Sequence, residues 1–232
     1  MQYEHLTQGV FLERLNRFVA RVEIGGVEQR VHVKNTGRCA ELLVPGNSVY
    51  LEKSGKANRK TAYDLVAVER RGPEGARLVN MDSMAPNAMA REWLAGGALG
   101  AIADLRAEVR VGQSRFDFAG VQDGRRVLVE VKGCTLEAEG IARFPDAPTL
   151  RGLRHVRELT RLAGEGCRCV VLIVIQMKGA RVFQPNWATQ PEFGEALVAA
   201  RRAGVELIAM DCAVWPGGAR IDAPVAVDLR RP

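Results

Sequence analysis

The sequence predicts an α/β (α+β) fold in two parts, a small N-terminal β-barrel followed by a mixed-sheet domain flanked by helices. At 232 residues, with 47% hydrophobic and 26% charged residues, the chain can form one large domain or two small ones. Between residues 10 and 80, short strand-like runs are separated by turns, whereas later strand-like runs alternate with helix-like ones. We place the boundary near residue 83, which predicts domains at 1–83 and 84–232.

The first part contains about five strand-like runs in about seventy residues, which is typical of an OB-like barrel. The predicted strands are 18–24 and 27–33, which flank Gly25-Gly26 as a hairpin, and then 48–52, 65–69 and 78–80. Such barrels often bind single-stranded nucleic acid through their loops. One predicted loop carries four cations, Lys53, Lys56, Arg59 and Lys60. That loop is either a nucleic-acid contact or a solvated turn.

The second part is predicted to run in the order α-β-β-β-α-β-α-β. Its first helix, opened by Pro86-Asn87 and closed by Gly96-Gly97, covers 88–95. The remaining predicted elements are strands at 105–111, 114–118 and 126–132, a helix at 149–163, a strand at 169–176, a helix at 192–203 and a strand at 205–210.

Two of these strands, rich in Phe and Val, are joined by Asp123-Gly124, a strong two-residue hairpin signal. Asp117 lies as many residues before this turn as Glu130 lies after it, so the two carboxylates are predicted to face each other. Strand alternation puts Lys132 on the same face as Glu130. Opposed carboxylates repel unless a cation lies between them, and the hairpin therefore predicts a metal site.

The ion expected there is Mg²⁺ (or Mn²⁺), held by Asp117, Glu130 and the backbone carbonyl of Val131, because hard divalent cations prefer oxygen ligands. Lys132 would orient or deprotonate an attacking water, or neutralise charge on a phosphate. The alternative is an exposed strand with salt bridges. Lysine is scarce, with six lysines among 33 basic residues. A lysine near the valines of this strand is therefore less expected by chance than an arginine would be.

The helix at 149–163 has an apolar stripe and a strongly basic remainder. Arg151 and Arg154 on this remainder would contact phosphates, or else form an ordinary solvated face. His155 would join them at the nucleic-acid backbone or serve as a general acid or base.

Composition excludes several classes of function. The net charge of +6 is compatible with a polyanionic partner. Five cysteines without a Cys-x-x-Cys pair, and three histidines without short spacing, argue against a disulfide framework and structural zinc. No phosphate-binding glycine motif is present. The longest apolar run, 169–175, is too short for a membrane span, and the N-terminus does not resemble a signal peptide, so we expect a cytoplasmic protein.

Several longer motifs resemble the sugar fermentation stimulation protein A family over nearly the whole chain. They are 35–39 (Asn-Thr-Gly-Arg-Cys), 43–46 (Leu-Val-Pro-Gly), 114–118 (Ser-Arg-Phe-Asp-Phe), 129–132 (Val-Glu-Val-Lys) and 144–149 (Phe-Pro-Asp-Ala-Pro-Thr), with Pro86-Asn87, Arg151-Gly152 and His155. The resemblance implies an OB-like domain followed by a PD-(D/E)XK nuclease-like domain.

Carried onto this sequence, the resemblance implies that Asp117, Glu130 and Lys132 form the catalytic signature. It adds a glutamate from the first helix, which Glu92 matches, with Glu108 as a substitute, and a polar residue at Gln176.

The resemblance also bears on the partner. It implies a nucleic-acid partner, DNA rather than RNA, which Arg38 could contact through phosphate, although a structural arginine in a turn fits equally. It leaves a homodimer open. Two functions compete, a metal-dependent nuclease and a non-catalytic, sequence-non-specific DNA-binding regulator linked to sugar (maltose) metabolism.

Overall fold

The computed structural model describes residues 1–35, 37–55, 59–72 and 75–232 and contains two β-sheets. Lys56 of the predicted cationic loop and Thr36 of the 35–39 motif lie outside the described residues.

The N-terminal sheet is a closed barrel. Its strands are β1 (Leu6–Arg14), β2 (Val19–Ile24), β3 (Val27–Val33), β4 (Ser48–Lys53), β5 (Tyr63–Gly72) and β6 (Gly75–Asn80). The order is β3-β2-β1-β4-β5-β6, and parallel pairing of β3 with β5 closes the first five strands. The prediction missed β1 and counted the run at 78–80 as a barrel strand. Only Gly9 and Phe11 of β1 are fully buried. The strand therefore needs few apolar residues, and its sequence does not show the regular alternation of apolar and polar residues that predicts a strand.

The second domain contains a nine-stranded sheet and three helices. These elements are α1 (Ala85–Ala95), β7 (Ala103–Val111), β8 (Ser114–Gln122), β9 (Arg125–Cys134), β10 (Glu137–Ala138), β11 (Ile141–Phe144), α2 (Leu150–Gly164), β12 (Arg168–Ile175), β13 (Val182–Pro185), α3 (Pro191–Arg202), β14 (Glu206–Trp215) and β15 (Gly218–Val227). The order is β10-β11-β13-β15-β14-β12-β9-β8-β7. All eight predicted elements are present. β10, β11, β13 and β15 were not predicted, because the first three are very short and β15 interleaves charged residues and a proline.

Helices cover both faces of this sheet. α1 packs with Phe118, Val129 and Val131 in one core, and α2 and α3 pack on the opposite face in another. The neighbouring strands β9, β12 and β14 run parallel, as expected for strands buried on both faces. Within the described residues, no helix has the length and apolar character required to cross a membrane.

The barrel and the sheet pack against each other. Val79 of β6 and Met177, just after β12, form a backbone bridge and belong to one continuous core. The buried Glu137 carboxylate accepts hydrogen bonds from Arg70 (2.8 Å) and Arg77 (3.1 Å) of the barrel. This packing brings the segment that follows β3 close to the C-terminal end of β9.

Candidate active site

The β8–β9 hairpin has the predicted register. Asp123 and Gly124 have φ values of 49° and 72°, as a tight two-residue turn with both central residues at positive φ requires. Cross-strand pairs run outward from the turn to Phe118 and Val129, the pair immediately before Asp117 and Glu130. The predicted register is therefore confirmed up to this pair, and the electrostatic effect of Glu130 on Asp117 shows that the hairpin brings the two carboxylates near each other.

Asp117 does not form a simple cross-strand pair, however. Its Oδ2 accepts a hydrogen bond from the backbone N–H of Val131 (2.7 Å), and its Oδ1 accepts one from Asn87 Nδ2 (2.9 Å). The ladder ends here, and Phe116 and Phe118 point into different cores, so regular alternation is broken at Asp117. Burial and the negative charge of Glu130 raise the pKa of Asp117 despite these two hydrogen bonds.

Glu130 is held at one oxygen and left free at the other. Its side chain is 3% exposed, and Oε1 accepts hydrogen bonds from His155 Nδ1 (2.6 Å) and from Lys132 Nζ. Among the described residues, the buried Oε2 has no hydrogen-bond partner. Burial alone would raise the pKa of Glu130, but the His155 hydrogen bond and the Lys132 charge outweigh it and lower that pKa. Glu130 is therefore ionised at neutral pH.

His155 is not a nucleic-acid contact, contrary to the prediction. Its side chain is 2% exposed and packs against Phe116, with ring centroids 5.8 Å apart. Thr149 caps α2 by accepting a hydrogen bond from Gly152 N (3.0 Å), which fixes where the helix begins. In the helix that follows, His155 lies on the buried face together with Leu159. Its position four residues before Leu159 was the sequence signal for burial.

Glu92 does not reach the carboxylates, so the prediction from the family resemblance is wrong. Its side chain is exposed and bonds the N-terminal ammonium group at 2.7 Å. Asn87 is the α1 residue that contacts the site. Glu92 follows it by five residues, so its side chain points about 140° away from that of Asn87 around the helix axis. The substitute, Glu108, is exposed and pairs with Arg115 at 3.4 Å. Pro86-Asn87 at the helix start was the available sequence signal for Asn87.

Gln176 lies beside the site without contacting the carboxylates. Its Nε2 donates to the backbone and side-chain oxygens of Asn80 (3.1 and 2.9 Å) and to the carbonyl of Asp82 (3.0 Å). A Cβ atom on Gly133 would lie 2.6 Å from Gln176 Oε1. Gln176 therefore ties the barrel to the strand end that carries Lys132.

The predicted cations divide into two groups. Arg151, Arg154, Arg38 and Lys60 are exposed, and within the described residues their side chains have no ion-pair partner. Arg59 instead donates to both carboxylate oxygens of Asp64 (2.8 and 2.6 Å), so its guanidinium is committed to the barrel. Arg59 is therefore not available as a nucleic-acid contact, contrary to the prediction.

The fold and the site define a two-domain protein in which an OB barrel precedes a mixed-sheet domain with a carboxylate–carboxylate–lysine hairpin. The chain belongs to the sugar fermentation stimulation protein family, which confirms the resemblance. The family model described as the sugar fermentation stimulation protein RE domain matches residues 84–218, and the SfsA N-terminal OB domain matches residues 12–81.

Similar proteins match along nearly their whole length. A sugar fermentation stimulation protein homolog of Ruminiclostridium cellulolyticum is 46% identical, over 99% of this chain and 100% of that one. A homolog from Desulfitobacterium hafniense is 47% identical over 92% of each chain. The structure of Pyrococcus furiosus SfsA in complex with Ca²⁺ is 30% identical, with a TM-score of 0.84 over 98% of each chain. The predicted fold class is thereby confirmed.

Proposed function

We propose that this protein is a metal-dependent phosphodiesterase that cuts DNA in the cytoplasm, with its site on the β8–β9 hairpin. The observation that carries the proposal is the buried Oε2 of Glu130, which has no hydrogen-bond partner in the described structure. An ionised, buried oxygen without a partner is costly unless a cation binds it. The raised pKa of Asp117 supports the same conclusion, because a cation would relieve the repulsion between the two carboxylates.

The donor atoms fit a hard divalent cation. Asp117, Glu130 and the Val131 carbonyl would hold Mg²⁺ (or Mn²⁺), and all three are oxygen donors. No group of three or more His, Cys, Asp or Glu side chains suited to a metal occurs in the described part of the chain. Such a sparse set suits Mg²⁺, which usually keeps several waters. The Pyrococcus furiosus relative, solved in complex with Ca²⁺, supports affinity for this class of ion.

The bound ion would supply Lewis-acid activation of a phosphate oxygen and of a water molecule. The protein's own groups supply position and charge. His155 holds Glu130 through Oε1, and Asn87 holds Asp117 through Oδ1. Lys132, whose side chain is 14% exposed, carries the cation that would neutralise charge on the scissile phosphate or orient the attacking water.

The substrate we propose is DNA, positioned by cations outside the site. Arg151 and Arg154 on α2 would contact its phosphates without reading sequence, aided by Arg38 and Lys60. Every proposed ligand and the lysine come from one chain, so a single chain is sufficient to build the site.

The test is cleavage of labelled single-stranded, duplex and branched DNA, and of RNA, with Mg²⁺ or Mn²⁺ against EDTA. Wild type is compared with Glu130→Ala and Lys132→Ala, and with the matched surface variant Glu195→Ala. We expect metal-dependent cutting that disappears in the first two variants while DNA binding persists. Binding without cutting on every substrate would refute the proposal and leave the non-catalytic regulator suggested by the family name.

A further inference from the structure

A cavity lies next to Gly133, the residue that follows Lys132. This cavity of about 190 Å³ opens between the barrel and the sheet domain, and Gly133 of β9 forms part of its wall. We call it the interdomain pocket. The residues important for its chemistry are Asn35 and Gly37 of the barrel and Arg143, Phe144 and Asp146 of the sheet domain. It is too small for a whole drug-sized ligand, for which pockets of about 300 Å³ or more are usual.

The barrel side of the interdomain pocket is preformed. The Arg14 guanidinium donates to the carbonyls of Asn35 (2.9 Å) and Gly37 (2.7 Å), and Asn35 Oδ1 accepts from Gly37 N (2.8 Å). A Cβ atom on Gly37 would lie 2.3 Å from Asp146 Oδ2. Only glycine therefore allows the barrel segment to approach the sheet domain this closely.

The lining combines opposite hydrogen-bonding roles with an aromatic ring. Arg143 can only donate and an ionised Asp146 can only accept. Neither side chain has a hydrogen-bond or ion-pair partner in the described ranges. Phe144, held edge-on by Phe193 at 5.3 Å between centroids, adds a partly exposed ring. The Asp146 carboxylate disfavours a phosphate, whereas a flat group with donors and acceptors on its edge matches all three residues.

We infer that the interdomain pocket receives a single unstacked base of the strand whose phosphate occupies the Asp117–Glu130–Lys132 site. This inference rests on the proposed function and names its substrate class, nucleic acid with an unpaired base next to the cleavage position. Gly133 follows Lys132 directly, so the wall of the interdomain pocket adjoins the phosphate site along β9. Bases taken out of a stack are bound in this way, by edge hydrogen bonds and aromatic or apolar contacts.

The test measures base binding without cutting. Single-stranded oligomers of abasic deoxyribose-phosphate are compared with the same oligomers carrying one base at the centre, using full-length wild type with Ca²⁺ and fluorescence anisotropy, and electrophoresis identifies the oligomers that stay intact. A strand bound without sequence preference can slide until its only base enters the pocket. We expect the single base to tighten binding about 5- to 150-fold, the range for one base stacked on a protein.

Three variants locate the effect. Asp146→Asn preserves size, Phe144→Leu preserves apolar volume, and Gly37→Ala directs a methyl group at Asp146. In each, the gain from the single base should fall below about twofold, while affinity for the base-free oligomer stays unchanged. Asp104→Asn, on the exposed β7, is the matched control that keeps the full gain.

Two results would overturn the inference, namely equal affinity for both oligomers in wild type, or a gain that persists in all three variants. Because only intact oligomers are scored, the outcome is independent of cutting. Equal affinity for both oligomers together with metal-dependent cutting would refute only the inference that the interdomain pocket binds a base. A preserved single-base gain without cutting on any substrate would refute the nuclease proposal alone.

Discussion

His155 Nδ1 lies 2.6 Å from Glu130 Oε1, and both side chains are shielded from solvent. Because an ionised carboxylate only accepts hydrogen bonds, Nδ1 carries the proton in this contact. The imidazole and the Lys132 ammonium group both engage Oε1, which leaves Oε2 available to a cation. A helix thus orients a carboxylate on the hairpin, much as outer-shell groups orient metal ligands in other proteins.

We expect His155→Ala to weaken binding of Mn²⁺ or Ca²⁺ about 10- to 100-fold, the usual effect of removing a group that holds a metal ligand. His155→Asn should recover part of this loss, because its amide can still donate to Oε1. Isothermal titration calorimetry measures both, with the exposed His5→Asn as control. Wild-type affinity in His155→Ala would show that the histidine only fills space.

Stability of the metal-free protein should respond in opposite directions to the two carboxylates. The folded-state pKa of Asp117 is raised, so its ionised form destabilises the fold once the pH exceeds the unfolded value of about 3.9. In EDTA at pH 7, Asp117→Asn should therefore raise the Tm, by about 2–4 °C for each kcal/mol relieved. At a pH below that unfolded value the difference should vanish.

Glu130 has the opposite sign, because its folded-state pKa is lowered. Its contribution to stability is present above the unfolded value of about 4.3 and is lost as the pH falls through the folded pKa. Glu130→Gln should lower the Tm at pH 7 in EDTA, and the deficit should shrink in acid. Thermal unfolding at several pH values measures both variants, and shifts of equal sign at pH 7 would contradict this account.

Asn87, rather than Glu92, should determine activity from α1. Asn87→Ala removes the donor to Asp117 Oδ1 and should lower kcat/KM for metal-dependent cutting about 10- to 100-fold. Glu92→Gln breaks only an exposed ion pair, of the kind that contributes about 0–1 kcal/mol, and should cut like wild type. Activity lost in Glu92→Gln but kept in Asn87→Ala would reverse this assignment.

The exposed arginines of α2 should bind phosphate, and salt dependence isolates that effect. Arg151→Ser and Arg154→Ser should each weaken DNA binding uniformly across sequences and reduce the log–log salt slope by about 1. Arg161→Ser is the control, because its guanidinium already bonds Glu158 and Glu165. Anisotropy between 50 and 200 mM salt in EDTA, a range over which phosphate contacts weaken strongly, measures the slopes. Equal slopes in all four proteins would exclude this face.

The predicted contacts that the structure contradicts depend on packing between elements that are distant in sequence. Register across a hairpin follows from its turn, so Asp117, Glu130 and Lys132 were brought together correctly from residues close in sequence. The direction of a helix relative to a sheet is not local. Glu92 was assigned by its place in α1, but packing turns Asn87 toward the hairpin instead. The contact between Arg59 and Asp64 likewise depends on how the barrel closes.

The sequence by itself determined the two-part fold, the hairpin with its two carboxylates and lysine, and the basic face of α2. Each follows from turn chemistry or from periodicity, which act over a few residues. Only the tertiary structure decided that His155 is buried against Glu130, 25 residues away, and that Gln176 joins Asn80 across 96 residues. The free oxygen of Glu130 and the interdomain pocket arise in the same way. They depend on contacts between distant elements, because burial is a property of the packed chain.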